Sequence, residues 1–289
     1  MGVACAVLPS RSAIRQEARE RRDAPGQSAA HPPAQLPGAF PGPPFTLPHV
    51  SDWPSLPPLE ATGLRCERGE RALFDGLELR LEPGEIVWLR GANGRGKTTL
   101  LRTLAGLGTA AAGELRLGGR PMQQVGPEWR RQLIYLGHAN ALKDDLSAAE
   151  SLHFAARLAG TPASAAEVHA ALTALGVGPL ARRAVRTMSQ GQRRRVALAR
   201  LALAPKPALA LLDEPFDALD DDGIERLARL LAGVAEAGGC VLFTSHQQIQ
   251  RLRPAPRVVM LPEAPPGRAP SGPVPVPVPP APTVAEAPR

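Results

Sequence analysis

Residues 91–101 read GANGRGKTTLL and follow the apolar run Ile86-Val87-Trp88-Leu89. They contain the pattern G-x-x-x-x-G-K-T, with Gly91 and Gly96 at the glycine positions. Glycines let backbone N–H groups turn inward around a phosphate, and the N-terminus of a following helix stabilises the same anion. A glycine-rich turn with a chance lysine is the alternative, but an apolar strand before the loop and leucines after it match the required context. The stretch therefore predicts a nucleotide-phosphate site in an α/β fold.

The residues of this loop have distinct expected roles. Lys97 is expected to reach the β- and γ-phosphates of a nucleotide, and the Thr98 hydroxyl is expected to ligate Mg²⁺. The predicted nucleotide-binding residues are Gly91, Ala92, Asn93, Gly94, Arg95, Gly96, Lys97, Thr98 and Thr99. The loop thus predicts a nucleotide together with Mg²⁺ as ligands.

A second motif places two adjacent carboxylates after an apolar run. Residues 209–212 read LALL and are followed by Asp213 and Glu214. Open α/β sheets bind ligands at the carboxyl ends of their strands, so we expect Asp213 to hold Mg²⁺ through water and Glu214 to orient and polarise an attacking water. Solvation of a strand end also explains an Asp-Glu pair, but that explanation is weak beside the upstream phosphate loop.

Composition narrows the class of protein. The chain has 289 residues and a formal net charge of +7, which comes from widely spread arginines. Because this charge is not clustered, we expect no nucleic-acid partner. No apolar run reaches the roughly 18 residues that a membrane-spanning helix needs. The cysteines, Cys5, Cys66 and Cys240, form no closely spaced pair for a metal knuckle or disulfide framework.

The two ends of the chain differ from its middle. Residues 1–57 are rich in Pro, Ala and Arg, and residues 262–289 end in SGPVPVPVPPAPTVAEAPR. Dense proline blocks helices and central strands, so both segments are predicted to be disordered or polyproline II. A misplaced start, with the true one near Val50, is an alternative for the first segment. Residues 58–261 form the predicted folded domain.

Strand-like and helix-like segments alternate in this domain. The apolar strand-like runs are residues 86–89, 133–136, 209–212, 241–243 and 258–261. Nearly continuous apolar runs are typical of a parallel sheet that helices cover on both faces. The patterns Ser147-Ala-Ala-Glu150 and Ser164-Ala-Ala-Glu167 are capping boxes. They predict two helices in an all-helical insert at about 140–185.

A third motif indicates the type of P-loop protein. Residues 188–192 read MSQGQ and are followed by RRRVALARLAL, which resembles the LSGGQ signature of the ATP-binding-cassette (ABC) ATPases. A helix N-cap followed by a solvated arginine face would also explain these residues, but their place between the two other motifs argues against it. Gln190 departs from the family by replacing a small residue. The predicted signature residues, acting in trans, are Ser189, Gln190, Gly191 and Gln192.

This resemblance implies a mainly parallel sheet core, a short all-helical subdomain and an antiparallel β edge, with residues 58–261 as the ABC ATPase domain. It also implies ATP and Mg²⁺ as ligands and an ATP-sandwich dimer of two copies. Asp220 matches the D-loop at the subunit contact, and His246 matches the switch histidine that bonds the γ-phosphate. His138 takes the place of the glutamine that touches Mg²⁺ or the attacking water. Glu214, His246 and His138 are therefore the predicted catalytic residues.

The sequence departs from the family at the adenine-stacking position. An aromatic residue usually stands there, but counting back from Leu73 places Glu67 or Arg68 at that point. We hypothesise that the Arg68 guanidinium stacks on the base instead. Selectivity for adenine over guanine therefore does not follow from the sequence.

The stretches CERGERALFDGLELRLEPGE, YLGHANALKDDLSAAESLHF, LLDEPFDALD and TSHQ resemble the ATP-binding subunits of the haem exporters of cytochrome c maturation, the CcmA type. That resemblance implies an ATP hydrolase of a translocase at the cytoplasmic face of the bacterial inner membrane. Its partners would be an integral membrane permease subunit and cytochrome c maturation proteins. Two alternatives stay open: an ABC exporter ATPase for a lipid or drug, and a soluble mechanical ABC ATPase acting on ribosomes or DNA. The second typically carries two cassettes or a long coiled-coil insert.

Overall fold

The computed structural model describes residues 55–262, except residues 70, 126, 248 and 250. Nearly all of the predicted extension at 1–57 and of the predicted tail at 262–289 lies outside the described residues, so their disorder stays a prediction. Within the described range, no helix is both long enough and apolar enough to cross a membrane.

Helices follow three of the five predicted apolar strands, those at 86–89, 133–136 and 209–212. The strands are β1 (Leu59–Arg68), β2 (Arg71–Leu81), β3 (Ile86–Arg90), β4 (Ala112–Leu117), β5 (Arg120–Pro121), β6 (Leu133–Leu136), β7 (Leu209–Leu212), β8 (Cys240–Thr244) and β9 (Arg257–Met260). The helices are α1 (Lys97–Leu104), α2 (Ala148–Leu158), α3 (Ala165–Ala174), α4 (Gln190–Leu198) and α5 (Asp221–Glu236). All five strands predicted from apolar runs are confirmed to within one residue at each end.

Five strands form a parallel sheet in the order β6-β7-β8-β3-β9. All four residues of β7 are buried, because its two faces contribute to two different cores. Ala210 and Leu212 pack in the core that contains α2 to α5. Leu209 and Leu211 pack in a second core, which contains α1 and the antiparallel sheet formed by β2, β1, β4 and β5. Burial on both faces explains why the strand sequences do not alternate between polar and apolar residues.

The remaining strands form a separate antiparallel sheet in the order β2-β1-β4-β5. Its buried side chains share one core with the leucines of α1, including Leu100 and Leu104. The fold class is thus confirmed: a mainly parallel sheet, a helical segment and an antiparallel β region.

The helices between β6 and β7 begin where the capping boxes predict. Ser147 accepts a hydrogen bond from the Glu150 N–H, and the Glu150 carboxylate accepts from the Ser147 N–H at 2.8 Å. The same reciprocal pair joins Ser164 and Glu167 at the start of α3. These bonds satisfy N–H groups that the first turn of a helix leaves unpaired.

The strand order positions the functional site. The strands β6, β7, β8 and β3 are neighbours and run parallel. Their carboxyl ends therefore meet at one edge of the sheet. The segments that leave this edge carry His138, Asp213 with Glu214, His246 and the phosphate loop, respectively.

The capping box of α2 gives a stability prediction. Replacing Ser147 by Ala removes the side-chain cap, which costs about 1 kcal/mol. We expect the melting temperature of the full-length chain to fall by about 2–4 °C, as measured by calorimetry. Thr109→Ala, which removes an exposed loop hydroxyl, is the control and should leave it unchanged. Equal melting temperatures for both variants would contradict the role of the cap.

Candidate functional site

The phosphate loop takes the strand-to-helix form that its sequence predicts. Gly96 directly precedes α1 with a φ of 103°, a left-handed conformation that favours glycine. A Cβ at Gly96 would also lie 2.9 Å from the Cβ of Leu73, so packing excludes a side chain. The Lys97 ammonium donates to the Gly91 carbonyl at 2.8 Å. This bond holds the ammonium against the first residue of the loop.

Predicted residues from four strand ends meet in one cleft of about 280 Å³, although Gly91, Ala92 and Arg95 of the loop do not line it. Its lining comprises Arg68, Leu73, Asn93, Gly94, Gly96, Lys97, Thr98, Thr99, His138, Asp213, Glu214 and His246. The three predicted catalytic residues thus face the same space as the phosphate loop. Arg68 also lines the cleft. The catalytic and binding roles of these residues stay predictions.

The Asp213 carboxylate joins three elements at the edge of the sheet. Asp213 follows β7 and is only 3% exposed. The Thr98 hydroxyl on α1 donates to its Oδ2 at 2.7 Å, and the Thr244 hydroxyl at the end of β8 donates to its Oδ1 at 2.9 Å. A buried carboxylate requires such partners, because losing water is otherwise costly.

Glu214 has the environment expected of a base. Its side chain is 10% exposed, and its carboxylate contacts His246 twice: Oε2 accepts from the His246 N–H at 3.1 Å, and Oε1 lies 3.3 Å from Nε2. Burial raises the pKa of Glu214 above its usual value, while the neighbouring His246 opposes this shift and Asp217 adds to it. Glu214 also has a φ of 49°, which is rare outside glycine.

Thr244 is a residue beside the cleft whose contacts sequence reasoning missed. Its fully buried hydroxyl accepts from the Glu214 N–H at 2.9 Å while it donates to Asp213. One hydroxyl thereby holds the side chain of Asp213 and the backbone of Glu214. Its place next to Ser245 and His246 is a sequence signal, but threonine at the end of a strand is too common to identify it.

Arg194 is a second residue that the sequence did not identify. It lies in α4 and is 4% exposed. One guanidinium nitrogen donates to the carbonyls of Asp213 and Glu214 at 2.8 and 2.7 Å, and the other donates to Gly137 O at 3.0 Å and Asn140 Oδ1 at 3.1 Å. Burial lowers the pKa of Arg194, while Asp217, Asp213 and Glu214 oppose this shift.

The signature residues stand apart from the cleft of the same chain. Ser189 caps α4 and shares a capping box with Gln192, while the side chain of Gln190 is exposed. A Cβ at Gly191 would lie 2.6 Å from the Ala218 carbonyl oxygen. The helix therefore begins in tight contact with the segment after Glu214, and glycine permits this approach.

Asp220 lies at the start of α5. Its carboxylate accepts from the Gly223 N–H at 2.9 Å and pairs with the Arg195 guanidinium of α4. These bonds lower the pKa of Asp220. Asp220 thus has a local structural role, and its place at a subunit contact stays a prediction.

The donor groups near the phosphate loop suit Mg²⁺. Thr98 Oγ1 and the Asp213 carboxylate are hard oxygen donors only 2.7 Å apart. Among the described residues, no group of three or more His, Cys, Asp or Glu side chains could hold a metal ion. Mg²⁺ is usually held by one or two protein ligands with water and substrate phosphates, so the site fits an ion that arrives with a nucleotide.

Comparisons with known proteins agree with this geometry. The family model described as ABC transporter matches residues 74–217. The "Cytochrome c biogenesis ATP-binding export protein CcmA" of Dechloromonas aromatica is 46% identical over 191 residues, covering 66% of this chain and 93% of that protein. The Pseudomonas aeruginosa protein of the same name is also 46% identical over 191 residues, covering 66% and 94%. A solved ATP-binding subunit of an ABC transporter is 26% identical with a TM-score of 0.61, covering 70% of this chain and 85% of that one.

The buried hydroxyl of Thr244 gives a second stability prediction. Thr244→Val leaves the Glu214 N–H and one Asp213 oxygen without their partner. An unsatisfied buried group costs about 1–3 kcal/mol, so we expect a fall of that size in the free energy of unfolding, as measured by urea titration. Thr244→Ser keeps the hydroxyl and should lose much less. If the valine variant is as stable as the serine variant, the hydroxyl does not hold this strand end.

Proposed function

This chain belongs to the CcmA group of cytochrome c biogenesis ATP-binding export proteins within the ABC transporter family, and from this membership we infer that it hydrolyses ATP to drive a separate membrane subunit of the haem-delivery complex of cytochrome c maturation. The observation that carries the proposal is the shared cleft. It places the buried Glu214 carboxylate beside His246 and opposite Lys97 and Thr98 of the phosphate loop.

The phosphate loop binds the nucleotide. Its backbone N–H groups and the N-terminus of α1 cradle the phosphates, and Lys97 pairs with the terminal ones. Thr98 and Asp213 would hold Mg²⁺, which would supply positive charge beside the phosphate oxygens. Arg68 stacks on the base, in the position where the family usually has an aromatic residue.

Glu214 acts on the attacking water. Its ionised carboxylate accepts a proton from the water and orients it toward the γ-phosphate. The raised pKa makes the carboxylate a stronger base than an exposed glutamate. His246 and His138 line the same cleft and bond the γ-phosphate and the water, respectively.

A second copy completes the site. The signature residues at the start of α4 do not line the cleft of their own chain. In the proposed dimer, Ser189 and Gly191 of one copy approach the ATP held by the phosphate loop of the other. ATP closes the dimer and hydrolysis opens it, which moves a permease at the cytoplasmic face of the inner membrane.

Glu214→Gln tests the catalytic role. We expect turnover to fall about 10²- to 10⁴-fold, because the amide cannot accept the proton, while ATP binding persists and the dimer accumulates. In the parent protein, turnover should decline as the pH falls through a midpoint above the usual value of 4.5, since burial raises the pKa of Glu214. Phosphate release and size-exclusion chromatography measure these effects. Glu236→Gln, at an exposed position of α5, should leave turnover unchanged, and unchanged turnover in Glu214→Gln would remove Glu214 from the mechanism.

Isolation of the full-length chain from its own cells tests the transport role. We expect it to be recovered from membranes with a multi-spanning membrane protein, and deletion should stop haem attachment to c-type cytochromes. Recovery with ribosomes or DNA would contradict the transport role. A membrane partner with normal cytochrome maturation in the deletion strain would indicate another cargo.

A further inference from the structure

The guanidinium of Arg194 joins two segments that the chain separates by more than 70 residues. One side bonds Gly137 O and Asn140 Oδ1, in the segment that carries His138. The other side bonds the carbonyls of Asp213 and Glu214 at the end of β7. Both segments line the cleft through His138, Asp213 and Glu214, but Arg194 itself does not.

We propose that Arg194 is a positioning residue that locks the His138 segment to the catalytic strand end. This proposal deepens the function proposed above and rests on it for its effect on turnover. An arginine can serve here because its planar group carries donors on two sides. Lysine has a single ammonium and cannot hold both segments in the same way.

The four hydrogen bonds of the Arg194 guanidinium, called the clamp below, also stabilise the backbone conformation of Glu214. Glu214 has a left-handed φ of 49°, which other contacts must stabilise. Arg194 bonds its carbonyl at 2.7 Å, and Thr244 bonds its N–H at 2.9 Å. The two peptide groups flanking Glu214 are therefore both held, and Arg194, which also holds the His138 segment, bonds the carbonyl of each.

Arg194→Met in the full-length chain tests the clamp. By hydrogen-exchange mass spectrometry, we expect exchange in residues 137–142 and 213–217 to rise together at least tenfold. Exchange in the phosphate loop should stay unchanged. Turnover should fall about 10- to 100-fold with ATP affinity within twofold of the parent, because Arg194 does not line the cleft. Arg194→Lys should restore less than half of the lost turnover.

Arg65→Met is the matched control. Arg65 is 5% exposed and is also held on two sides, by Glu67 and Asp75 of the antiparallel sheet. Its loss should lower stability but leave turnover and exchange at the two segments unchanged. If Arg194→Met changes exchange in only one segment or neither, or lowers ATP affinity as much as turnover, the clamp is overturned.

Asn140→Ala keeps the test decisive if Arg194→Met does not fold. It removes one bond on the less buried side, so exchange in residues 137–142 should rise at least threefold in a folded protein. Unchanged exchange there overturns the clamp. Absence of ATP hydrolysis by the parent chain with its membrane partner would count against the proposed function alone, because the exchange experiment needs no hydrolysis.

Discussion

The buried carboxylate of Asp213 is the constraint on which the site depends. At 3% exposure it needs hydrogen-bond donors, and it takes them from Thr98 after the phosphate loop and Thr244 at the end of β8. The hydrogen bonds from Thr98 and Thr244 to this one carboxylate therefore hold α1 and β8 at the end of β7. The same alignment leaves the adjacent Glu214 facing the cleft, where burial raises its pKa.

The sheet makes this alignment possible. Parallel strands end at a common edge, and both faces of β7 are buried. The residues after each strand can leave that edge in different directions. The left-handed φ of Glu214 sets one such direction, and hydrogen bonds from Thr244 and Arg194 to the backbone of Glu214 hold it.

Much of this arrangement was predictable because its signals are local. Apolar runs located the strands of the parallel sheet, capping boxes located α2 and α3, and the phosphate loop and Asp213-Glu214 pair were recognisable by residue type and spacing. Thr244 and Arg194 were not, because their roles depend on partners 19 to 57 residues away. An arginine among three consecutive arginines resembles a solvated helix face, and only the fold shows that the middle one is buried.

The helix α4 combines an exposed start with a buried arginine. Its exposed N-terminal residues, Ser189 and Gln190, are those predicted to meet the second copy. Its buried Arg194 bonds the segments that carry His138 and Glu214 in its own chain. Because a short helix moves as one body, displacement of its start by a partner would also strain the bonds that Arg194 makes. In the proposed dimer, α4 thus links closure on one ATP to the geometry of Glu214 in the other site.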